Sequence, residues 1–447
     1  MRALVYGLAI AGAATVRALQ RHGYEVIAAD DVITDERRGV AAELGIDVLD
    51  SPDDTVLGDV LSTCTLLSPA PGIPERHRVI LAAQAAGVEI VSEIELAYRW
   101  EQSRAGGPRP MLAITGTDGK TTTTLMAVAM LRAAGLSTID AGNTDTPLVD
   151  AIEDDHDAFV VECTSFRLAW TPSFRADAAA WLNLAPDHLN WHESMTTYGD
   201  AKARIWINQR AQDCALAFTG SGPVMERLGA APSRQLTFGD GGDYRLDGTT
   251  LMGPAGPIAD ASIMRRSLPH DITNALAAAA LVLETGLADV AAIQSALARF
   301  EGPPHRLERL GSWAGVDWFN DSKATTPHAA AVAIHAFDDI VLIAGGKDKF
   351  VDLTEMATEP HRITAVIAIG QTRNAIAAAF AEVGTVETTE FLPAAVARAA
   401  QLALPGSTVL LSPGCASLDQ YTSFEARGDH FRELVAQIVL DTDQRDT

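Results

Sequence analysis

The sequence predicts an α/β protein of three domains built on mostly parallel sheets. Two observations carry this. Short apolar, β-branched runs alternate with Ala- and Leu-rich helical stretches along the whole chain, the order that produces parallel sheets. Two Pro/Gly-rich segments, residues 103–110 (SRAGGPRP) and 301–304 (EGPP), interrupt that alternation as linkers. The expected domains are residues 1–105, 106–302 and 303–447. A chain of 447 residues accommodates two or three units of about 100–200 residues each.

In the first domain, strand ALVYG leads to a helix over 13–21, YEVIAAD to 36–44, LLSP to 79–86 and VEIVS to 94–100. This is a Rossmann-like order. The turn VYGLAIAG departs from the G-x-G-x-x-G fingerprint, because Ala9 replaces the middle Gly, while Gly7 and Gly12 still allow a tight turn at a helix N-terminus. Asp30, about twenty residues on, ends the next strand and is placed to accept from a ribose or uracil donor. Residues 68–72 (SPAPG) end another strand beside it. Gly7, Leu8, Asp30, Ser68 and Gly72 are therefore candidate contacts for a nucleotide diphosphate rather than for NAD.

The second domain opens on strand MLAIT, the turn GTDGKTT and a helix over 122–135. Strand, Gly-rich loop and helix make a phosphate-binding context, in which N–H groups point at the anion and Lys120 adds a charge. The sheet is thus expected to be P-loop ATPase-like, although Ile114 stands where the common pattern has its first Gly. Gly116, Thr117, Asp118, Gly119, Lys120, Thr121 and Thr122 form the loop, and the Thr121 hydroxyl is offered to Mg2+. AFVVECTSFRL puts Glu162 at a strand end, and AAAWLNLAPDHLNWH puts Asp187 and His188 past the next, a pairing suited to metal and nucleotide. Lys202, in helical TTYGDAKARI, reads by itself as a solvated lysine. Asn274, in PHDITNALAA with His270 and Asp271, is placed to face a base edge.

In the third domain, Arg306 follows the linker directly. Asp321, Ser322, Lys323, Ala324 and Thr325 form a polar loop between strand and helix. Lys347 and Lys349 lie on a Gly turn, and Ser417, Asp419, Phe424 and Arg427 follow the last long strand. These loops are richer in cations and hydroxyls than packing requires, and suit a small acidic substrate. A second Rossmann-like sheet is expected here.

Composition narrows the function. A formal net charge of −24 with an isoelectric point near 4.7 argues against a nucleic-acid surface. Four scattered cysteines form no C-x-x-C, so neither a zinc site nor a disulfide framework is expected. No apolar run is long enough to span a bilayer, and the N-terminus runs straight into a strand–turn–helix pattern. A reduced, cytoplasmic setting without membrane contact is expected.

The segments GTDGKTT, ECTSFRL, APDHLNWH with AKARI, PHDITNALAA, GPPHRLE, NDSKATT, GGKDK and SPGCASLDQYTSFEARGDHF resemble the Mur ligases over residues 1 to about 435. These are three-domain, ATP-dependent amide ligases of peptidoglycan precursor synthesis, and the segments are most similar to the D-glutamate-adding type. The resemblance implies UDP-N-acetylmuramoyl-L-alanine, D-glutamate and ATP as substrates, an acyl-phosphate intermediate and a monomer. It implies ATP on Gly116 to Thr122, with Asn274 near adenine and Arg306 and Asp321 contacting the nucleotide. It implies two Mg2+ sites, one on Thr121 and Glu162 and one on His188 with a carbamylated Lys202. Asn143 and His188 would lie near the UDP-substrate. Thr325, Lys349, Ser417 and Phe424 would form the amino-acid pocket, and Lys120, His188, Lys202 and Lys323 would be catalytic.

The sequence departs from the family pattern at Asp118 and Asp271, where Asn is usual, and at Thr164 and Arg167, where Ser and Gln are usual. Asp118 is expected to serve the turn, because Asn and Asp share a shape and both tolerate the tight-turn conformation. The rival readings are distinguishable. A phosphate-loop ATPase or kinase needs no amino-acid pocket, an NAD dehydrogenase needs the Gly that Ala9 replaces, and an inactive UDP-sugar-binding homologue would release no phosphate. The pocket residues suit glutamate of either configuration, and a relative adding L-glutamate or another amino acid stays open at this point.

Overall fold

The N-terminal alternation folds into a five-stranded parallel sheet of order β3-β2-β1-β4-β5. Its strands are β1 (Arg2–Tyr6), β2 (Glu25–Asp30), β3 (Val48–Asp50), β4 (Leu66–Pro69) and β5 (Glu89–Ile90). The computed structural model describes residues 1–349 and 351–443. Helix Ile10–Arg21 begins three residues earlier than the sequence suggests. Gly12 explains the close start, since a Cβ there would lie 1.9 Å from the Gly7 carbonyl oxygen.

A six-stranded parallel sheet follows, of order β11-β10-β9-β6-β8-β7. It contains β6 (Met111–Thr115), β7 (Thr138–Gly142), β8 (Ala158–Glu162), β9 (Ala178–Trp181), β10 (Cys214–Phe218) and β11 (Arg234–Phe238). Strand β6 is central, so the phosphate loop leaves the sheet between the ends of β8 and β9, where open α/β sheets place their ligands. A three-stranded antiparallel meander, β12 (Arg245–Asp247), β13 (Thr250–Gly253) and β14 (Gly256–Asp260), was not anticipated.

The chain divides into two compact units, Met1–Phe300 and Glu301–Thr447. Within the first, one apolar cluster takes in Val5, Val16 and Ile94 together with Met111, Phe159 and Trp181, so the two parallel sheets share a core. The segment over 103–110 that reads as a linker carries Arg109, whose guanidinium grips buried Glu101 at 2.8–2.9 Å. The second unit is a six-stranded sheet of order β15-β16-β20-β17-β18-β19. Its strands are β15 (Glu308–Trp313), β16 (Val316–Asn320), β17 (Ile340–Gly345), β18 (Ile363–Ile369), β19 (Val386–Thr388) and β20 (Thr408–Leu411). Only the β15–β16 pair is antiparallel, and separate apolar clusters cover the two faces. The expected α/β class and parallel sheets are observed. Among the described residues, no helix is long and apolar enough to cross a membrane.

Candidate active site

The loop after β6 is held from the side by a residue the sequence reading missed. Asn183, just past β9, accepts from the Thr117 and Asp118 N–H groups at 2.9 and 2.8 Å, and its amide donates to the Asp118 carbonyl at 3.2 Å. The signal was a polar residue directly after an apolar strand beside the loop-bearing strand. Asp118 serves the turn through these backbone bonds. The left-handed residue of the turn is Gly119, with φ of +83°. Helix Lys120–Ala133 starts directly after it, two residues earlier than expected.

Asn274 packs against this loop. Its Oδ1 accepts from the Thr123 hydroxyl at 3.2 Å, and a Cβ on Gly119 would lie 2.7 Å from it. Its buried side chain braces the phosphate loop. Asp271 is buried and gripped by Arg266 through two bonds of 2.7 and 2.6 Å, and it also accepts from the Leu268 N–H at 3.2 Å. The acid that replaces the usual Asn is thus matched by a cation.

Two amines converge on one carbonyl. Lys120 Nζ donates to the Gly116 and Thr117 carbonyls at 2.9 and 2.7 Å, and Lys202 Nζ donates to the Gly116 carbonyl at 2.7 Å. Lys202 is 2% exposed and lies over the Tyr198 ring, which overturns the solvated reading. Burial, then the charge of Lys120, holds its amine well below the ordinary lysine range. Thr117 Oγ1 is engaged with Tyr198, 3.2 Å away, and with the Ala185 backbone. Thr122 is buried in the first turn of the helix, and Thr121 is half-buried beside it.

His188 adopts φ of +55°, with Asp187 3.1 Å from its Nε2 and bonded to its N–H at 2.7 Å. Burial depresses its pKa despite Asp187, and Lys202 and Lys120 add to the depression, which favours the neutral form of the imidazole that a metal requires. Neighbouring His192, also missed from sequence, is fully buried between Glu75 and Ser165 at 3.1 and 2.9 Å.

Glu162, 1% exposed at the end of β8, accepts from Asn143 Nδ2 at 2.8 Å through one oxygen, while Oε2 is buried with no partner. An orphaned carboxylate oxygen beside a phosphate loop fits a Mg2+ ligand. Among the described residues, no three His, Cys, Asp or Glu side chains gather into a metal cluster.

On the first sheet, Asp30 is buried and accepts from the Leu8 N–H at 2.9 Å while pairing with Arg37 at 2.9 Å. It shapes the turn after Gly7. Ser68 is buried in the wall of a small cavity shared with Gly12, and Gly72 is exposed beyond it.

In the second unit, Asp321 is buried and accepts from the Leu307 N–H at 3.1 Å and the Ser412 hydroxyl at 2.8 Å, next to half-buried Arg306. Arg427, 1% exposed, bonds the Ser322 hydroxyl and carbonyl at 2.9 Å and the Cys415 carbonyl at 3.2 Å, tying the 320–325 loop to the 412–417 loop. Burial pulls its pKa down to about 10. Lys349 donates to the Thr325 carbonyl at 2.8 Å, and Lys323 lies 5.7 Å over the Phe424 ring. Ser417, buried, lies on the same loop as Cys415.

Two family models match: the Mur ligase middle domain over residues 114–282, and the Mur ligase, glutamate ligase domain over 305–415. The UDP-N-acetylmuramoylalanine–D-glutamate ligase of Frankia casuarinae is 38% identical over 456 residues, covering 97% of this chain and 93% of that protein. The Myxococcus xanthus protein of the same name is 38% identical over 453 residues, covering 97% and 98%. Among solved structures, the UDP-N-acetylmuramate–alanine ligase of Thermotoga maritima superposes with a TM-score of 0.59 at 18% identity, covering 98% of this chain and 99% of that one. The MurF ligase of Thermotoga maritima in complex with ADP gives 0.58 at 15% identity, covering 86% and 99%. Those two structures share the fold; the full-length identity to the first pair shows more, and the chain belongs to the Mur ligase family, among its UDP-N-acetylmuramoylalanine–D-glutamate ligases.

Proposed function

We propose that this chain joins D-glutamate to UDP-N-acetylmuramoyl-L-alanine at the expense of ATP, a step of peptidoglycan precursor synthesis. The observation that carries the chemistry is the phosphate loop flanked by a buried amine, Lys202, bonded to the Gly116 carbonyl, and an unpartnered carboxylate oxygen on Glu162. The choice of substrates is supported by the relatives' names.

In this reading the alanyl carboxylate attacks the γ-phosphorus and ADP leaves. The amine of glutamate then attacks the acyl-phosphate carbon, and inorganic phosphate leaves an amide. The loop N–H groups and Lys120 cradle the phosphates, and Lys120 moves from the Gly116 and Thr117 carbonyls to the anion. Arg306 and Asp321 are proposed as nucleotide contacts, and Lys323 is proposed to neutralise developing charge. Thr121 and Glu162 would hold one Mg2+, and His188 with Lys202 a second, and the cations would supply neutralisation of the charge on phosphate. Lys202 serves there as a carbamate. Only the neutral amine attacks CO2, and burial beside Lys120 favours that form. Gly7, Leu8, Ser68, Gly72, Asn143 and His188 bind the UDP-substrate, with Asp30 fixing the Leu8 amide. Thr325, Lys349, Ser417 and Phe424 take the glutamate, whose side-chain carboxylate meets Lys349. The protein is proposed to act as a cytoplasmic monomer.

The test is phosphate release and product formation with UDP-N-acetylmuramoyl-L-alanine and, separately, D-Glu, L-Glu, D-Asp and diaminopimelate. Release that requires both substrates, with D-Glu preferred, is expected. Release without an amino acid would make the chain an ATPase, and a preference for diaminopimelate would overturn the pocket.

A further inference from the structure

We propose that Arg167 is a positioning residue for Glu162: it fixes the amide of Asn143 so that Glu162 keeps one oxygen for the cation. This rests on the reading of Glu162 as a metal ligand.

Arg167 lies in the short helix Ser165–Leu168 and is 6% exposed. Its Nε donates to Glu93 Oε1 at 3.1 Å, and another guanidinium nitrogen donates to Asn143 Oδ1 at 2.8 Å. Asn143 Nδ2 in turn donates to Glu162 Oε1 at 2.8 Å, leaving Oε2 buried and unpartnered. A guanidinium can only donate, and an ionised carboxylate can only accept. Asn143 stands between them, so a single orientation of its amide satisfies both. Turned over, its oxygen would face the carboxylate and its NH2 would face the cation. A neutral amide at position 167 could donate or accept, and would leave both orientations open.

Glu93 balances the buried guanidinium and also accepts from the Val149 N–H at 3.4 Å. It opens helix Glu93–Gln102, which follows β5 of the first sheet. The line Glu93–Arg167–Asn143–Glu162 therefore runs from the first sheet to the end of β8 on the second. Glu93 and Arg167 also wall the small cavity shared by Gly12, Thr15, Ser68 and Ser92, on the side of the proposed UDP-substrate.

The test is Mn2+ titrated into the full chain with saturating ADP and followed by electron paramagnetic resonance. The proteins are wild type, Glu162→Ala, Arg167→Lys and the Glu93→Gln/Arg167→Gln double variant. Lysine keeps a cation for Glu93 but lacks the second donor branch, and the double variant removes both charges together. Wild type should bind, Glu162→Ala should not, and both Arg167 variants should bind roughly tenfold or more weakly, as for other partners of metal ligands. Their thermal transitions should persist, and KM for glutamate should stay near wild type while kcat falls. Mn2+ affinity within about twofold of wild type in either folded variant would overturn the proposal. Wild-type Mn2+ binding by Glu162→Ala would instead overturn the metal assignment of Glu162, and this proposal with it.

Discussion

Asn183 shows how much a single side chain can decide here. Its amide satisfies two loop N–H groups and one loop carbonyl, so it fixes the curvature that aims the remaining N–H groups at phosphate. Asn183→Ala strands these groups, and should cost about 1–3 kcal/mol in denaturant unfolding and raise KM for ATP. Asn183→Asp keeps the acceptor and should fall between. An unchanged KM for ATP in both would remove Asn183 from the loop's support. His192 offers a pH test. Burial and the nearby Lys202 and His188 lower its pKa from 6.5 to about 4, so it is neutral in the folded chain. Between those values the unfolded chain binds a proton that the folded chain does not, and stability falls as pH drops from 6.5 toward 4. His192→Gln should flatten that part of the Tm-against-pH curve. An identical slope would show that other groups set it.

Among the elements, helix Pro269–Glu284 carries the least expected chemistry. Its first turn holds Asp271, favoured there by the helix dipole and by the Leu268 N–H, and clamped by Arg266. Asp271→Asn removes one partner of a mostly buried pair and should destabilise by roughly 1–3 kcal/mol. Combining it with Arg266→Gln should recover most of the loss, measured as the coupling in a double-mutant cycle. Additive losses would mean that the two side chains act separately. The sequence showed the acid but not its partner, because nothing local says that Arg266 folds back over the helix start. The phosphate loop was legible for the opposite reason. Strand, glycines, lysine and helix are contiguous, so the context can be read from one window. Asn183 and Arg167 act across 65 and 74 residues of sequence, and long-range partners of that kind leave no periodic trace. The β12–β14 meander went unread because its strands are only three to five residues long and carry little alternation.

For the whole molecule, the alternation of strands and helices predicted α/β sheets correctly, yet composition alone cannot say which sheets share a core. The two Pro/Gly-rich segments look alike in sequence and differ in what flanks them. Across residues 103–110 the apolar cluster is continuous, and of three buried acids on helix Glu93–Gln102 two find partners beyond the segment and one within it. Glu93 pairs with Arg167, Glu101 with Arg109, and Glu95 accepts from the Phe174 N–H at 2.7 Å as well as from Ser173. A fragment of residues 1–105 would expose that cluster and leave Glu93 and Glu101 without their cations, and a buried carboxylate without its partner is costly. The second unit, in contrast, contains every strand pairing of its sheet and both of its apolar clusters. A fragment of residues 301–447 should therefore fold alone, with a cooperative thermal transition and dispersed amide resonances, while 1–105 should not and 1–300 should. A cooperative transition in 1–105 would show that the shared core is dispensable, and its absence in 301–447 would show that the second unit depends on the first for stability.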